Sequence, residues 1–219
     1  VKEKTAPTIT ITSPSAGAYI TNTTPTIEFQ VKDTDSGVNA GTIVVTVDGT
    51  AVSTVTKTAI DGGYKCTCTS PTLKDGSHTI SVKASDNDGN AAAAKTATFT
   101  VDTVPPTLQI TAPSNDLITN KKTVTVSGKT DDVSSKPVTV TVSGVTVTVG
   151  TDGTFTKDVT LVEGANTITI VAKDKAGKTT TVTRKVTVDT SAPVIKSVTL
   201  TRNPVDCGKT FIIAVEITD

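Results

Sequence analysis

The segment HTISVKASDNDGN at His78–Asn90 is the strongest indication of the fold, because it returns as NTITIVAKDKAGK at Asn166–Lys178. Both copies alternate apolar and polar residues and then continue into a loop that carries Asp and Gly. Alternation with a period of two sends successive side chains to opposite faces of a β-strand. Each copy therefore predicts a strand with one buried face, and its recurrence predicts a chain built of repeats.

Further matches extend this repeat in both directions along the chain. Residues 6–9 return at 105–108 and again at 192–195, while 73–76 return at 161–164. Asp61-Gly62 and Asp152-Gly153 are predicted to be equivalent turns, ahead of Tyr64 and Phe155. We therefore predict one full repeat over 5–103, a second over 104–190, and the N-terminal part of a truncated third over 191–219.

Length and composition support the same organisation. The 219 residues are too many for one Ig-sized sandwich and suit two and a fraction. The chain holds 49 Thr and 30 Val, β-branched residues that favour pleated sheet over helix. A helical bundle, a Rossmann enzyme and a disordered tail are excluded. Each full repeat contains about seven short alternating runs, which predicts an all-β fold of tandem Ig-like β-sandwiches.

The repeats resemble bacterial Ig-like domains. The motifs that carry the resemblance are the D-T-x-x-P-x-I/L junctions, which begin at Asp102 and Asp189, and the strand ends Val82–Asn90 and Ile170–Lys178. Modules of this kind build bacterial surface proteins, secreted glycosidases and phage virion proteins, so the resemblance implies a fold more than a function. The chain has no Trp and no paired core cysteines, so it departs from antibody-type domains.

Charge and hydropathy limit the partners. Lys and Arg number 21 and Asp and Glu number 21, which argues against a nucleic acid or an acidic membrane as partner. No run of 18 apolar residues is present, so no membrane insertion is expected. The absence of Met and the strand pattern at the C-terminus indicate a piece of a longer polypeptide, whose other domains are the expected partners.

Residues for catalysis are scarce. Cys66 and Cys68 lie two apart on one strand face and are predicted to fill the core as free thiols, while Cys207 is far away in sequence. His78 is the single histidine, and the second repeat has Asn166 in its place, so we predict a structural role at the surface. No serine triad or zinc ligand set is readable. We therefore predict that the chain is not an enzyme and needs no cofactor, with calcium as the one ion to consider.

Acidic residues collect in two loops of each repeat, which an Ig-like sandwich brings to the same end. In the first repeat these are Asp33, Asp35, Asp86 and Asp88, a candidate calcium site. In the second, Asp131, Asp132 and Asp174 would face Asp102 of the linker, as in cadherin-like tandem modules that hold Ca²⁺ between domains. The alternative is that these Asp residues only form tight turns, and Lys173 and Lys175 would repel a cation.

The linkers and the surface complete the functional prediction. Pro105 and Pro106 restrict the short passage between repeats, so we predict a semi-rigid joint. The leading interpretation is a non-catalytic extracellular spacer, display or adhesion segment of a bacterial surface protein, with a protein or glycan ligand on a cell surface. The alternatives are a decoration segment of a phage tail or virion and an accessory module of a secreted glycosidase.

Overall fold

The computed structural model describes residues 2–201 and 212–218, and the regular structure in these ranges is β-strand throughout. The first nine strands belong to the first repeat: β1 (Thr8–Ser13), β2 (Tyr19–Ile20), β3 (Thr26–Lys32), β4 (Val38–Val47), β5 (Thr50–Ala51), β6 (Thr56–Ile60), β7 (Gly63–Thr69), β8 (Gly76–Asp86) and β9 (Lys95–Val101). They form a four-stranded sheet in the order β1-β3-β7-β6 and a five-stranded sheet in the order β2-β9-β8-β4-β5.

The second repeat has the same plan with one strand fewer. Its strands are β10 (Thr107–Ala112), β11 (Leu117–Thr119), β12 (Thr123–Asp131), β13 (Thr139–Val142), β14 (Val145–Val147), β15 (Thr154–Thr160), β16 (Gly164–Lys173) and β17 (Thr179–Val188). The sheets run β10-β12-β15 and β11-β17-β16-β13-β14. The prediction of tandem all-β Ig-like sandwiches is confirmed.

Two short strands were not predicted from the sequence. β2 pairs in parallel with β9, and β11 pairs in parallel with β17. Each belongs to the sheet opposite the one that contains the strand before it. Strands of two or three residues are too short to show a recognisable alternation of apolar and polar residues. The segment from Thr50 to Ile60 also holds two separate strands, because Val52 to Val55 lies between β5 and β6.

Each sandwich has its own core, formed by the inward positions of both sheets. In β3, Ile27, Phe29 and Val31 are fully buried while the residues between them face outward, as the alternation predicted. Cys66 and Cys68 lie in the same core as free thiols, which confirms their predicted role. Burial, with a smaller contribution from the neighbouring Cys66, raises the pKa of the Cys68 thiol to about 11.

The strand register shows that equivalent positions of the two cores carry residues of opposite size. Phe29 on β3 lies opposite Cys66 on β7, whereas Gly128 on β12 lies opposite Phe155 on β15. Because β1 pairs with β3 as β10 pairs with β12, Gly128 holds the place of Phe29, and Phe155 holds that of Cys66. The sequence alignment of Phe155 with Tyr64 is therefore wrong by two residues. At this pair of positions the large ring therefore lies on β3 in the first core and on β15 in the second.

Within the segment predicted to begin a third repeat, β18 (Val194–Thr201) and β19 (Ile212–Thr218) form an antiparallel pair, and Cys207 lies outside the described residues. The predicted boundaries after residues 103 and 190 stay predictions. The strands of the first two repeats nevertheless fall within 8–101 and 107–188. None of the described residues belongs to a helix with the length and apolar character that a membrane crossing requires.

Candidate functional site

The linker between the repeats is held at Thr103 by the sandwich before it. β9 ends at Val101 and β10 begins at Thr107, which leaves five residues between the two strands. The backbone N–H of Asp102 donates to the carbonyl of Ile20 at 2.9 Å. Thr103 donates twice to the Asp75 carboxylate, from its backbone N–H and from its hydroxyl, each at 3.0 Å. The first residues of the linker are thus fastened to the first sandwich.

The next linker repeats this arrangement. Asp189 donates its N–H to Thr119 at 2.9 Å, and Thr190 donates to the Glu163 carboxylate from its N–H at 2.9 Å and its hydroxyl at 2.7 Å. The hydrogen bonds from Thr190, backbone first, hold the pKa of Glu163 below its usual value. We call this contact the Thr–carboxylate clamp: Thr103 with Asp75, and Thr190 with Glu163. Its recurrence explains why the Asp-Thr junction and the Asp or Glu before Gly are both repeated in the sequence.

Asp102 points the other way, into the second sandwich. One carboxylate oxygen from each of Asp102, Asp132 and Asp174 lies within 4.8 Å of the other two. We call these three residues the joint triad. Their exposed fractions are 1%, 6% and 5%, so all three are buried polar groups. The sequence predicted this meeting of the two loops with the linker, although a cation there stays a prediction.

Hydrogen bonds account for most of the oxygens in the joint triad. Oδ1 of Asp132 accepts from the N–H groups of Ser134 at 2.8 Å and Ser135 at 2.7 Å. The hydroxyl of Ser135 donates to Oδ2 of Asp102 across the joint. Oδ1 of Asp174 accepts from the N–H of Lys178 at 2.8 Å. Oδ2 of Asp174 is buried and has no hydrogen-bond partner among the described residues.

The first sandwich has an equivalent cluster at the same end, which we call the leading triad: Glu3, Asp33 and Asp86. Asn90 saturates it, since its amide donates to Asp86 Oδ2 at 2.6 Å and to Glu3 Oε1 at 3.0 Å. Burial raises the pKa of Asp86. Hydrogen bonding with the Glu3 side chain and with Asn90 more than offsets that effect, so this pKa lies below its usual range. Oδ1 of Asp33 accepts three backbone N–H groups, from Asp35, Ser36 and Gly37.

The remaining predicted ligands lie outside the two triads. Asp35 is exposed, and Asp88 is half-buried and accepts the N–H of Glu3 at 3.1 Å. Asp131 is exposed and pairs with Lys136 at 2.7 Å, which lowers the pKa of its carboxyl. Glu3 was missed from sequence, although a signal existed. It precedes Thr8 by the same five residues that separate Asp102 from Thr107.

The lysines beside Asp174 were expected to oppose a cation. Lys173 and Lys175 are both exposed, and the Lys175 ammonium lies over the ring of Tyr19, 5.3 Å from its centre. That contact draws its charge toward an aromatic face of the first sandwich. Among the described residues, no ion pair closer than 4.0 Å involves a member of the joint triad.

His78 joins two loops of the first sandwich. Its Nδ1 lies 2.6 Å from Asp48 Oδ2, and its Nε2 lies 2.8 Å from the carbonyl oxygen of Lys74. Both neighbours are acceptors, so the imidazolium cation, in which both ring nitrogens donate, is the state that satisfies both contacts. Asn166 makes the matching bond in the second repeat, to the carbonyl of Val162 at 2.8 Å. A structural role accounts for every contact of this histidine. That the chain is not an enzyme stays a prediction.

The His78–Asp48 pair should make the stability of the first sandwich depend on pH. Partial burial lowers the pKa of His78, but the hydrogen bonds to Asp48 and Lys74 raise it above 6.5 overall. The extra stability is therefore fully present below pH 6.5 and is lost as the pH rises through the elevated pKa. Because the pair is partly solvated, we expect a loss of less than about 1 kcal/mol.

Urea unfolding at pH 5.5 and pH 8.5 measures this loss. His78→Asn keeps the bond to Lys74 by analogy with Asn166, so it serves as the matched variant and should abolish the difference between the two pH values. A wild-type protein equally stable at both would contradict the assigned imidazolium.

Each of the two sandwiches matches a known family of protein domains. Residues 7–82 match the model of a bacterial Ig domain, and residues 106–190 match the model of glucodextranase domain B. The chain is 30% identical over 185 residues to Bacillopeptidase F of Bacillus subtilis, which covers 84% of this chain and 12% of that protein. The chain thus spans only a small part of that relative.

Two solved structures resemble most of the chain. The fibronectin(III)-like modules of Clostridium thermocellum CbhA share 20% identity at a TM-score of 0.49, over 83% of this chain and 94% of theirs. The titin I-band fragment I67–I69 shares 13% identity at a TM-score of 0.49, over 88% of this chain and 69% of its own. The family matches, together with the sheets, confirm the resemblance read in the sequence: both sandwiches are Ig-like, and the first matches a bacterial Ig domain.

Proposed function

We propose that this chain is a non-catalytic spacer within a longer extracellular bacterial protein, and that its joints are built to limit movement between successive modules. The observation that carries the proposal is the Thr–carboxylate clamp, which occurs in the same form at Thr103 and at Thr190. A flexible tether needs no such contact, because Gly- and Ser-rich linkers already provide freedom. A repeated clamp serves a repeated mechanical requirement.

The clamp works with the other contacts of the first linker. Pro105 and Pro106 fix their φ angles, and Asp102 accepts the hydroxyl of Ser135 from the second sandwich. Lys175 adds a cation–π contact to Tyr19 across the same joint. Each contact is worth roughly 0.5–1.5 kcal/mol, so their combination, rather than any one bond, restricts the joint.

Asp75→Ala tests the clamp because it removes the acceptor of both Thr103 bonds. These bonds are worth about 0.5–1.5 kcal/mol each, so we expect the linker amides to exchange faster and the two sandwiches to tumble more independently in ¹⁵N relaxation. Asp158→Ala is the matched control, since it also removes an acceptor from a threonine hydroxyl, that of Thr125 at 2.6 Å, on the outer face of the second sandwich. Identical relaxation in both variants would contradict a mechanical role for the clamp.

A second candidate is an accessory segment of a hydrolytic enzyme. It is favoured by the comparisons, because one matched model is a domain of a glucodextranase and the curated relative is named as a peptidase. The two candidates differ in what lies on the same polypeptide and in ligand binding. A catalytic domain in the parent reading frame would favour the accessory role. Retention of the chain on a glycan array would give it a binding task, which the spacer proposal excludes.

A further inference from the structure

We propose that the joint triad, Asp102, Asp132 and Asp174, binds a calcium ion that bridges the linker to the second sandwich. Three carboxylates with exposed fractions of 6% or less lie within 4.8 Å of one another. Among the described residues none of them has a cationic side chain within 4.0 Å. Buried carboxylates are strongly unfavourable unless a positive charge compensates them, and like charges this close repel.

The decisive atom is Oδ2 of Asp174. It is buried and unpartnered, while Oδ1 of the same carboxylate already accepts the N–H of Lys178. A buried acceptor with no donor is rare in native proteins and calls for a missing partner. That partner must be positive or a donor, and the neighbouring groups of the triad are themselves acceptors.

The leading triad provides an internal comparison. There Asn90 sends its amide into the carboxylates, at 2.6 Å from Asp86 and 3.0 Å from Glu3. The matching residue of the second repeat is Lys178. Its backbone N–H donates to Asp174, as the backbone N–H of Asn90 donates to Asp86, but its side chain has no amide group. The protein thus satisfies one triad with its own side chain and leaves the other short of a partner. This difference directs the proposal to the joint triad alone.

The chemistry of the donor set favours calcium. All the ligands are carboxylate oxygens, which are hard donors, and the site spans two loops and a linker rather than one rigid element. Ca²⁺ tolerates irregular coordination at 2.3–2.6 Å and completes its shell with water, whereas Mg²⁺ demands a near-octahedral cage. Extracellular calcium modules bind with dissociation constants of about 10⁻⁴–10⁻³ M, and we expect this range here.

Titration of ¹⁵N-labelled protein with calcium chloride after removal of metals tests the proposal at constant ionic strength. We expect saturable shifts of the amides of Asp102, Ser135 and Asp174 at millimolar calcium. Asp174→Asn should weaken binding at least tenfold, and Asp131→Asn should leave it unchanged. The second variant removes the same charge next to the site, where Asp131 pairs with Lys136 instead.

Three results would overturn the proposal: no saturable shift in the wild-type protein, an equal loss in both variants, or magnesium binding as tight as calcium binding. Asp102→Asn provides a second variant should Asp174→Asn fail to fold, since Asp102 lies in the linker outside the strands. The inference goes beyond the spacer proposal and fails separately from it. An absent calcium site leaves the effect of Asp75→Ala on the linker intact.

Discussion

Replacing Phe155 by alanine should destabilise the second sandwich by about 3–5 kcal/mol, the usual loss for a buried phenylalanine. Phe155 is 3% exposed and lies opposite Gly128, which has no side chain with which to fill the space. The core around it is otherwise built of Val, Ile, Leu and Ala, so no second ring can move in. Since small domains have only about 5–15 kcal/mol of stability, this change brings the sandwich close to unfolding.

Urea unfolding followed by the amide signals of each sandwich separately measures this effect. The signals of residues 107–188 should be lost at lower urea, and those of 8–101 should keep their wild-type midpoint. Thr156→Ala, on the exposed face of the same strand, is the control and should change little. A shift in the first sandwich equal to that in the second would contradict the division into two independent cores.

The converse change, Gly128→Ala, should destabilise the second sandwich by about 1–3 kcal/mol through overpacking. A Cβ at this position would lie 2.6 Å from the carbonyl oxygen of Gln109 and 2.7 Å from Cζ of Phe155. The oxygen belongs to the backbone of β10, so that strand itself must move. The expected loss of stability comes from the lack of space for a Cβ at Gly128, and not from an unfavourable backbone conformation.

Gly41→Ala is the matched control for this change, because a Cβ there would meet only the side chain of Asn39, at 3.3 Å. We expect it to be neutral or slightly stabilising, since alanine restricts the unfolded chain. Unfolding in urea measures both variants. An equal effect of the two substitutions would show that the close packing between Gly128 and Phe155 does not determine the stability of this core.

Much of this fold could be predicted because its signals are local. Ile27, Phe29 and Val31 alternate with polar residues, so the strand and its buried face follow from periodicity alone. The repeat then supplies the number of sandwiches. What escaped prediction depends on register between strands distant in sequence, such as the pairing of Phe155 with Gly128. Two turns with similar sequences do not fix the register of the strands that follow them. A shift of two residues keeps the same apolar and polar alternation on each face of the strand.

The candidate site was predictable in outline and not in detail. Ig-like topology places the loops after β3 and β8 at one end, and likewise those after β12 and β16. The meeting of Asp33 with Asp86, and of Asp132 with Asp174, could therefore be expected. The sequence does not show which carboxylates turn inward, because that depends on which backbone N–H groups each side chain accepts hydrogen bonds from. Asp35 and Asp88 lie two residues after the inward Asp33 and Asp86 and stay outside the triads.

The clamp also required the structure. Asp75 and Thr103 are 28 residues apart, and only the return of β9 beside β8 brings them within 3.0 Å. The repeated sequence motifs indicated that the junction mattered but not that its two halves touch. In each of the two linkers a threonine donates two hydrogen bonds to one carboxylate. The repeated sequence motif therefore corresponds to a repeated contact that holds the linker.

The most direct test of the account is to measure residual dipolar couplings of backbone amides in weakly aligned protein, in buffer that contains a chelator. Couplings from residues 8–101 and 107–188 are fitted separately, each to its own sandwich. If the Thr–carboxylate clamp restricts the joint, one alignment tensor of a single magnitude and orientation should fit both sets, and Asp75→Ala should reduce the magnitude for one of them. Two tensors of clearly different magnitude in the wild-type protein would contradict the account.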